Sequence, residues 1–286
     1  MTGRPIRSWL YVPGHRADRF DKAVAAGADA VVIDLEDSVP LDRKKEARDN
    51  TISAVLRWRD EPDPPEIWVR GNPLRTPQGQ EDVEALRDVP IHGLRIPRAE
   101  DPRAIAQVGT QLAVPLHLVL ETARGLLMAD ELATAHPRVV RLGLGEADLS
   151  ADLRVHSSTG LDWARGWIVV ASRAAGLASP IQSVWTALED TRGLRASTEA
   201  GFASGFFGRS VIHPRQIPIV HQAYEPDAAA VASARAVLRA FRAAEATGEV
   251  AAVTPDGQFV DPAVVSQAQL VIGLAALTGS PEPTAT

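Results

Sequence analysis

Residues 30–35, Ala-Val-Val-Ile-Asp-Leu, run straight into Glu36-Asp37, and the same form recurs three times. Ile67 to Val69 ends in Arg70, Leu116 to Leu120 in Glu121, and Val139 to Leu144 in Gly145-Glu146-Ala147-Asp148. Short apolar runs separated by helical stretches have the pattern of parallel strands buried on both faces. In a barrel of such strands every C-terminal end opens on one mouth, so the charges that close these runs are predicted to meet there. Buried charge is tolerated only when it has a partner. Three carboxylate clusters and an arginine at one mouth therefore imply a divalent cation and an anionic substrate, which give each sign its partner. Helix caps and surface ion pairs explain any one of these acids but fit the whole set poorly.

Working outward, strand-like and helical stretches alternate about eight times. Strands are predicted over Arg7 to Val12, Ala30 to Leu35, Ile67 to Arg70, Gly93 to Pro97, Leu116 to Leu120, Val139 to Leu144, a weaker Pro180 to Trp185, and Arg209 to Ile212. Between and after them, helical spacing runs over Ala17 to Ala26, Asp42 to Trp58, Gln78 to Arg87, Pro102 to Leu112, Ala123 to Ala135, Asp162 to Ala175, Ser197 to Ala203 and Pro214 to Tyr224, with Gly27 and Gly176 as stops and a Pro-rich turn at Pro62 to Pro65. This alternation predicts an α/β fold, a (β/α)8 TIM barrel over residues 1–224, rather than a doubly wound sheet. A C-terminal helical extension follows over 225–276, then a polar tail over 277–286 read as disordered. In the extension, the helix Asp227 to Thr247 carries Val231, Ala234, Val237, Leu238 and Phe241 on one side. With the barrel already complete, that stripe needs a surface to cover, and a neighbouring subunit is the economical candidate.

Composition narrows the chemistry. With 286 residues, 45% hydrophobic and 23% charged, the chain suits one large soluble domain. No apolar run approaches the ~20 residues of a membrane span, and no export signal marks the N-terminus, so a cytoplasmic protein is expected. The net charge of −6 is spread out, which argues against nucleic acid or an anionic membrane as partner. Without cysteine there are no disulfides, thiol nucleophiles or thiolate metal sites. Lysine occurs only at 22, 44 and 45, all in helical stretches rather than at strand ends. A Schiff-base aldolase needs an active-site lysine, so carbon–carbon chemistry here would require a metal ion as Lewis acid.

Several segments, taken in order, resemble the citrate lyase beta subunit family of the HpcH/HpaI aldolase superfamily, the group that includes malyl-CoA and citramalyl-CoA lyases. They are Leu10 to Gly14 with Arg16, Asp34 to Val39, Val69 to Asn72, Glu121 to Gly125, Gly145 to Leu149, Gly205 to His213 followed by Pro214, and Asp256 to Asp261. The resemblance runs from Arg7 to about Ile272. It implies a (β/α)8 fold, Mg²⁺ dependence, and cleavage or formation of a C–C bond beside an acyl-CoA thioester, with a small 2-oxo acid as the other partner.

Chemistry and resemblance together assign roles. Glu121 and Asp148, ending neighbouring strands, are the expected metal ligands; Glu146 is the rival, and the family pattern selects Asp148. Glu121 would thereby also contact substrate. Arg70 offers a fork that binds a carboxylate or enolate oxygen bidentately, or simply a salt bridge to Glu36 or Asp37. Glu36 is read as the acid that orients Arg70, and Asp37 as one that reaches the metal through water. Arg16 resembles the family's substrate or CoA-phosphate contact, and Arg98 stands where many relatives have lysine. Asp261 matches the catalytic base of the malyl-CoA lyase branch, although Pro262 follows it one position early; a turn aspartate is the bland alternative. Gln182 and Trp185 stand where Asp and Tyr are frequent. His213 is expected to hydrogen-bond within the barrel.

The favoured expectation is a Mg²⁺-dependent lyase on a malyl-CoA or citramalyl-CoA type ester. The alternatives are the citryl-cleaving subunit of a citrate lyase complex, and a malyl-CoA-type thioesterase or ester-binding protein. The family's habit of trimers and paired trimers implies a homotrimer or hexamer with Asp261 acting in trans.

Overall fold

The apolar runs pair side by side. The protein's computed structural model describes residues 5–59 and 64–278. Pro62 and Asp63 of the expected turn, and 279–286 of the expected tail, lie outside the described residues. In chain order the first unit contains β1 (Ser8–Pro13), α1 (Phe20–Val24), β2 (Ala30–Asp34), α2 (Lys44–Trp58), β3 (Glu66–Arg70), α3 (Pro77–Ala85), β4 (Gly93–Ile96), α4 (Pro102–Gln111) and β5 (Leu116–Leu120). It continues with α5 (Ala123–Leu127), α6 (Ala129–Ala133), β6 (Val139–Leu144), α7 (Glu146–Leu153), α8 (Asp162–Ala174), α9 (Thr191–Ala203), β7 (Arg209–Val211) and the first residues of α10 (Ile217–Ala223). Seven strands form one parallel sheet in the order β6-β5-β4-β3-β2-β1-β7. Chain contacts divide the described residues into two compact units, Ile6–Val220 and the residues from His221 onward joined by Pro5. Among the described residues no helix is long and apolar enough to cross a membrane.

The weak strand expected over Pro180 to Trp185 is not one of the seven. It shrinks to two single-residue bridges, Ile181 with Gly143 of β6 and Gln182 with Arg209 of β7. Side chains explain the interruption. Pro180 has no N–H to donate, the Arg141 guanidinium donates to the Ser179 carbonyl, and the Ser183 hydroxyl donates to the Leu144 carbonyl at 2.6 Å. The helix expected to start at Ser197 begins at Thr191 instead, because Asp190 caps it by accepting the Gly193 N–H at 2.9 Å. The sequence reading gave no helix after β6, where α7 lies.

Register sorts the strand residues onto two faces. Leu10, Val31, Ile33, Val69, Leu94, Leu118 and Leu142 alternate with a second set, and all are buried. The second set begins with a tryptophan pair, Trp9 of β1 and Trp68 of β3, whose rings meet edge to face at 5.1 Å and pack with Ala30, Val32 and Ile181. Two residues further along, the same face turns polar. Arg70 is in register with Arg95 of β4, Arg95 with His117 of β5, and His117 with Arg141 of β6. Basic side chains thus lie in a row across four strands.

In the second unit, α11 (Ala228–Glu245) is capped by Asp227, which accepts the Ala230 N–H at 2.7 Å. A small antiparallel pair follows, β8 (Ala252–Val253) with β9 (Phe259–Val260), turning at Gly257 with φ 90°. Then comes α12 (Pro262–Thr278), so the first two residues of the expected tail are helical. Ala234 and Val237 of α11, with Leu238 and Phe241 beside them, pack against Val260, Val265 and Ala268. This corrects the expectation that the α11 stripe needs another subunit: the chain's own α12 and β9 cover it.

Trp9→Ala removes the centre of the sheet's apolar layer and is expected to cost about 3–5 kcal/mol of stability, read as a lower urea midpoint at unchanged slope.

Candidate active site

A cavity of about 1210 Å³ opens at the C-terminal ends of the strands, lined by residues of the first unit alone. Strand ends supply Tyr11, Asp34, Arg70, Arg95 and Glu121, and the turn into α7 supplies Gly145, Glu146 and Asp148. The charges that close the apolar runs do therefore meet.

Arg70 is held by three acids. Its Nε donates to Asp34 Oδ1 at 2.7 Å and its Nη2 to Asp34 Oδ2 at 2.8 Å, a bidentate pair. Its Nη1 lies 2.9 Å from Glu36 Oε2 and 3.2 Å from Asp37 Oδ2. The ion pair with Glu36 or Asp37 expected beside substrate binding is present, and Asp34, which carried no expected role, takes the fork. The fork is closed on Asp34; only the remaining Nη hydrogens can face a ligand. Asp34 is itself fixed by the backbone N–H groups of Glu36 at 3.0 Å and Ser38 at 3.1 Å. Burial opposes the charge of Asp34, and the Arg70 guanidinium outweighs it, holding the carboxyl below its usual range. Burial likewise opposes the charge of Arg70, and Asp34 more than offsets it, raising its pKa.

Glu36 is buried and does not line the cavity. Burial pushes its carboxyl up to about 8, against the pull of Arg70, with Asp37 and Glu121 adding to the rise. It acts on the site through Arg70. Asp37 does line the cavity, with its side chain 70% exposed. The loop carrying both is tied down by Lys44, whose Nζ donates to the Leu35 and Glu36 carbonyls at 2.6 and 2.7 Å and to Asn72 Oδ1 at 2.7 Å. All three ammonium hydrogens are used, so Lys44 is no nucleophile. Lys22 is exposed at the cavity's edge with Arg16 and Arg19, and Arg16 is paired with Asp18 at 2.7 Å.

Glu121 follows β5 and is 5% exposed. Burial pushes its carboxyl up to about 7, and Asp148 adds to the rise. Its Oε2 accepts the backbone N–H of Arg98 at 3.0 Å. Arg98 sits at φ 47°, a left-handed conformation unfavourable for a side chain of its size. Its guanidinium, expected to bind substrate, lies outside the cavity lining, with Nη2 3.4 Å from Asp148 Oδ1. Glu121 also requires Gly145: a methyl group there would fall 2.4 Å from Glu121 Cγ and 2.6 Å from its Oε1. Asp148 stands in the first turn of α7, and the rival Glu146 is engaged by Arg165, whose Nε donates at 3.1 Å.

Among the described residues no group of three or more His, Asp or Glu is arranged to hold a metal. A carboxylate packed into a space only glycine leaves open, with a second acid beside it on α7, does suit a hard divalent cation that keeps water and substrate oxygens as its other ligands. Glu121 and Asp148 would hold it. His213 lines the cavity, its Nδ1 accepting the Arg215 N–H at 3.1 Å. Asp261 belongs to the second unit, where its Oδ1 accepts the Val264 N–H at 2.9 Å as the cap of α12.

The sequence and the fold also match known proteins. A model of the HpcH/HpaI aldolase/citrate lyase family matches residues 7–214. A (3S)-malyl-CoA thioesterase of Cereibacter sphaeroides is 36% identical, covering 90% of both chains. An L-malyl-CoA/beta-methylmalyl-CoA lyase of the same organism is 32% identical, covering 94% of both. The solved structure of protein CitE from Mycobacterium tuberculosis, in complex with magnesium, acetoacetate and coenzyme A, superposes with a TM-score of 0.79 at 33% identity, covering 95% of this chain and 98% of that one. With this match over most of its length, and with the buried Glu121 after β5 and the exposed Asp148 of α7 lining one cavity with Arg70, the chain belongs to the HpcH/HpaI aldolase/citrate lyase family.

Proposed function

We propose that this protein is a cytoplasmic, Mg²⁺-dependent carbon–carbon lyase that cleaves or forms a 3-hydroxyacyl-CoA ester of the malyl-CoA or citramalyl-CoA type. The observation that carries the reading is the acidic pair Glu121 and Asp148 in one cavity with Arg70, in a chain of this family. The Ile181 and Gln182 bridges, linking both edge strands, support a closed eight-stranded barrel with one strand reduced to a remnant.

Glu121 and Asp148 would hold Mg²⁺, which would supply Lewis-acid stabilisation to the oxo-acid half of the substrate. In the cleavage direction a base takes the proton of the substrate hydroxyl, the C–C bond breaks, and its electron pair passes into the thioester as an enolate. The free Nη hydrogens of Arg70 stabilise that oxygen, and Asp34 with Glu36 and Asp37 fix where they point. Protonation of the enolate carbon then releases the shorter acyl-CoA. Asp261 of a neighbouring subunit is the proposed base, in a homotrimer or hexamer; resemblance alone supports this, since α12 already covers the α11 stripe. Arg16, Arg19 and Lys22 suit the phosphates of coenzyme A.

A thioesterase reading is favoured by the 36% identical relative of that name, and a citryl-cleaving subunit by the likeness to CitE. A panel of CoA esters assayed for both products decides: free CoA with a hydroxy acid means hydrolysis, a shorter acyl-CoA with an oxo acid means cleavage.

Glu121→Ala or Asp148→Ala is expected to lower Mg²⁺-dependent turnover at least about 100-fold with circular dichroism unchanged; undiminished turnover refutes the metal assignment. Arg70→Lys, which cannot span both Asp34 oxygens, is expected to lose most activity, and near-normal kinetics would make Arg70 purely structural. Mixed oligomers of Asp261→Ala and Arg70→Ala chains are expected to regain part of the activity each lacks. A monomer by light scattering, or no complementation, rules out action in trans.

A further inference from the structure

The arginines on the cavity floor are unequally compensated. Arg70 has Asp34, Glu36 and Asp37 against it. Arg95, its register partner on β4, is 4% exposed and lines the same cavity, yet no carboxylate among the described residues comes within 4.0 Å of its nitrogens. Its Nη1 donates to Ser210 Oγ at 3.1 Å, its Nε finds no acceptor, and its guanidinium lies over the Tyr11 ring at 5.4 Å.

Nothing next to it supplies the missing charge. His117, the next member of the row, is kept neutral by burial and by the Arg95 and Arg141 guanidiniums, well below its usual pKa. Tyr11 is held above its usual pKa by burial and carries no phenolate. Glu121 and Asp34 act on Arg95 only from a distance. Burial lowers the pKa of Arg95, but an arginine keeps its proton in a protein. A buried charge without a partner is strongly unfavourable, and replacing it by an apolar side chain of similar volume is often neutral or stabilising. The fold therefore carries a destabilising cation at the deep end of its cavity.

We infer that Arg95, oriented by Ser210 and Tyr11, is a carboxylate subsite, and that the substrate carries a second carboxylate beyond the one beside its reacting oxygen. This rests on the lyase reading above but moves its substrate from the malyl-CoA type, which has one free carboxylate, to a 3-hydroxyacyl-CoA ester that carries two. The second carboxylate belongs either to the oxo-acid half or to the acyl half of the ester, and both present the same group to Arg95.

Binding calorimetry on the intact protein with Mg²⁺ tests this in two arms, pyruvate against oxaloacetate and butyryl-CoA against succinyl-CoA; each pair differs by a terminal carboxylate. Wild type is expected to prefer the extra carboxylate in one arm, which identifies the half that carries it. Arg95→Met is expected to lose about 10- to 100-fold of affinity for that ligand alone, leaving its counterpart within twofold. Its melting temperature is expected to be unchanged or higher; a fall of more than about 5 °C would make Arg95 a structural residue and overturn the subsite. Ser210→Ala, which buries nothing new, is expected to weaken the same ligand several-fold. No preference in wild type, or a preference that survives both substitutions, overturns the inference. If no acid and no ester binds wild type at all, the lyase reading falls with it; if the monocarboxylates bind without discrimination, only the subsite falls.

Discussion

The bidentate pair between Arg70 and Asp34 is the interaction on which the rest of the site depends. It joins β3 to the end of β2 through two hydrogen bonds in a place with almost no water. Removing one partner of such a pair strands the other as a buried charge, typically at about 3–5 kcal/mol. The pair also sets direction. With Nε and Nη2 of the guanidinium both fixed on Asp34, Nη1 points toward Glu36 and Asp37. A carboxylate that looks structural therefore determines what chemistry an arginine can offer.

Charge on the floor of the cavity is distributed by strand register. Arg70, Arg95, His117 and Arg141 fall in one row because four parallel strands align them. Each is reconciled with burial differently. Arg70 takes acids, Arg141 takes the Ser179 and Phe207 carbonyls, and His117 gives up its proton. Arg95 alone of the row has only a hydroxyl and an aromatic face, and that imbalance is what connects the fold to a substrate.

The acidic side of the cavity is arranged through backbone more than through side-chain charge. Arg98 holds Glu121 with its N–H while adopting a conformation unfavourable for its side chain. Gly145 gives Glu121 its room. Strain and a missing Cβ are tolerable because the strands on either side, β5 and β6, are bonded along their length. Without Gly145 and the Arg98 turn, Glu121 would have neither its space nor its hydrogen bond.

The parallel α/β sheet was legible in the apolar runs, and so was the meeting of Arg70, Glu121 and Asp148 at one cavity beyond its strand ends. Apolar runs and the residues that end them are local patterns, and burial responds to them directly. Pairing between residues was set by the fold alone. Asp34 hid inside an apolar run, where one carboxylate among aliphatic residues reads as part of a strand, and Arg95 hid in Gly93 to Pro97 in the same way; a charge set inside such a run was the available signal. The interrupted strand at Ile181 escaped because Arg141 and Ser183 take the carbonyls that a ladder would have used, and those residues come from distant or neighbouring segments. The α11 stripe was legible as apolar, but that its own α12 covers it was not. Hydrophobicity is a property of a residue, whereas a partner is a property of two strands' register, and register exists only once the chain has folded.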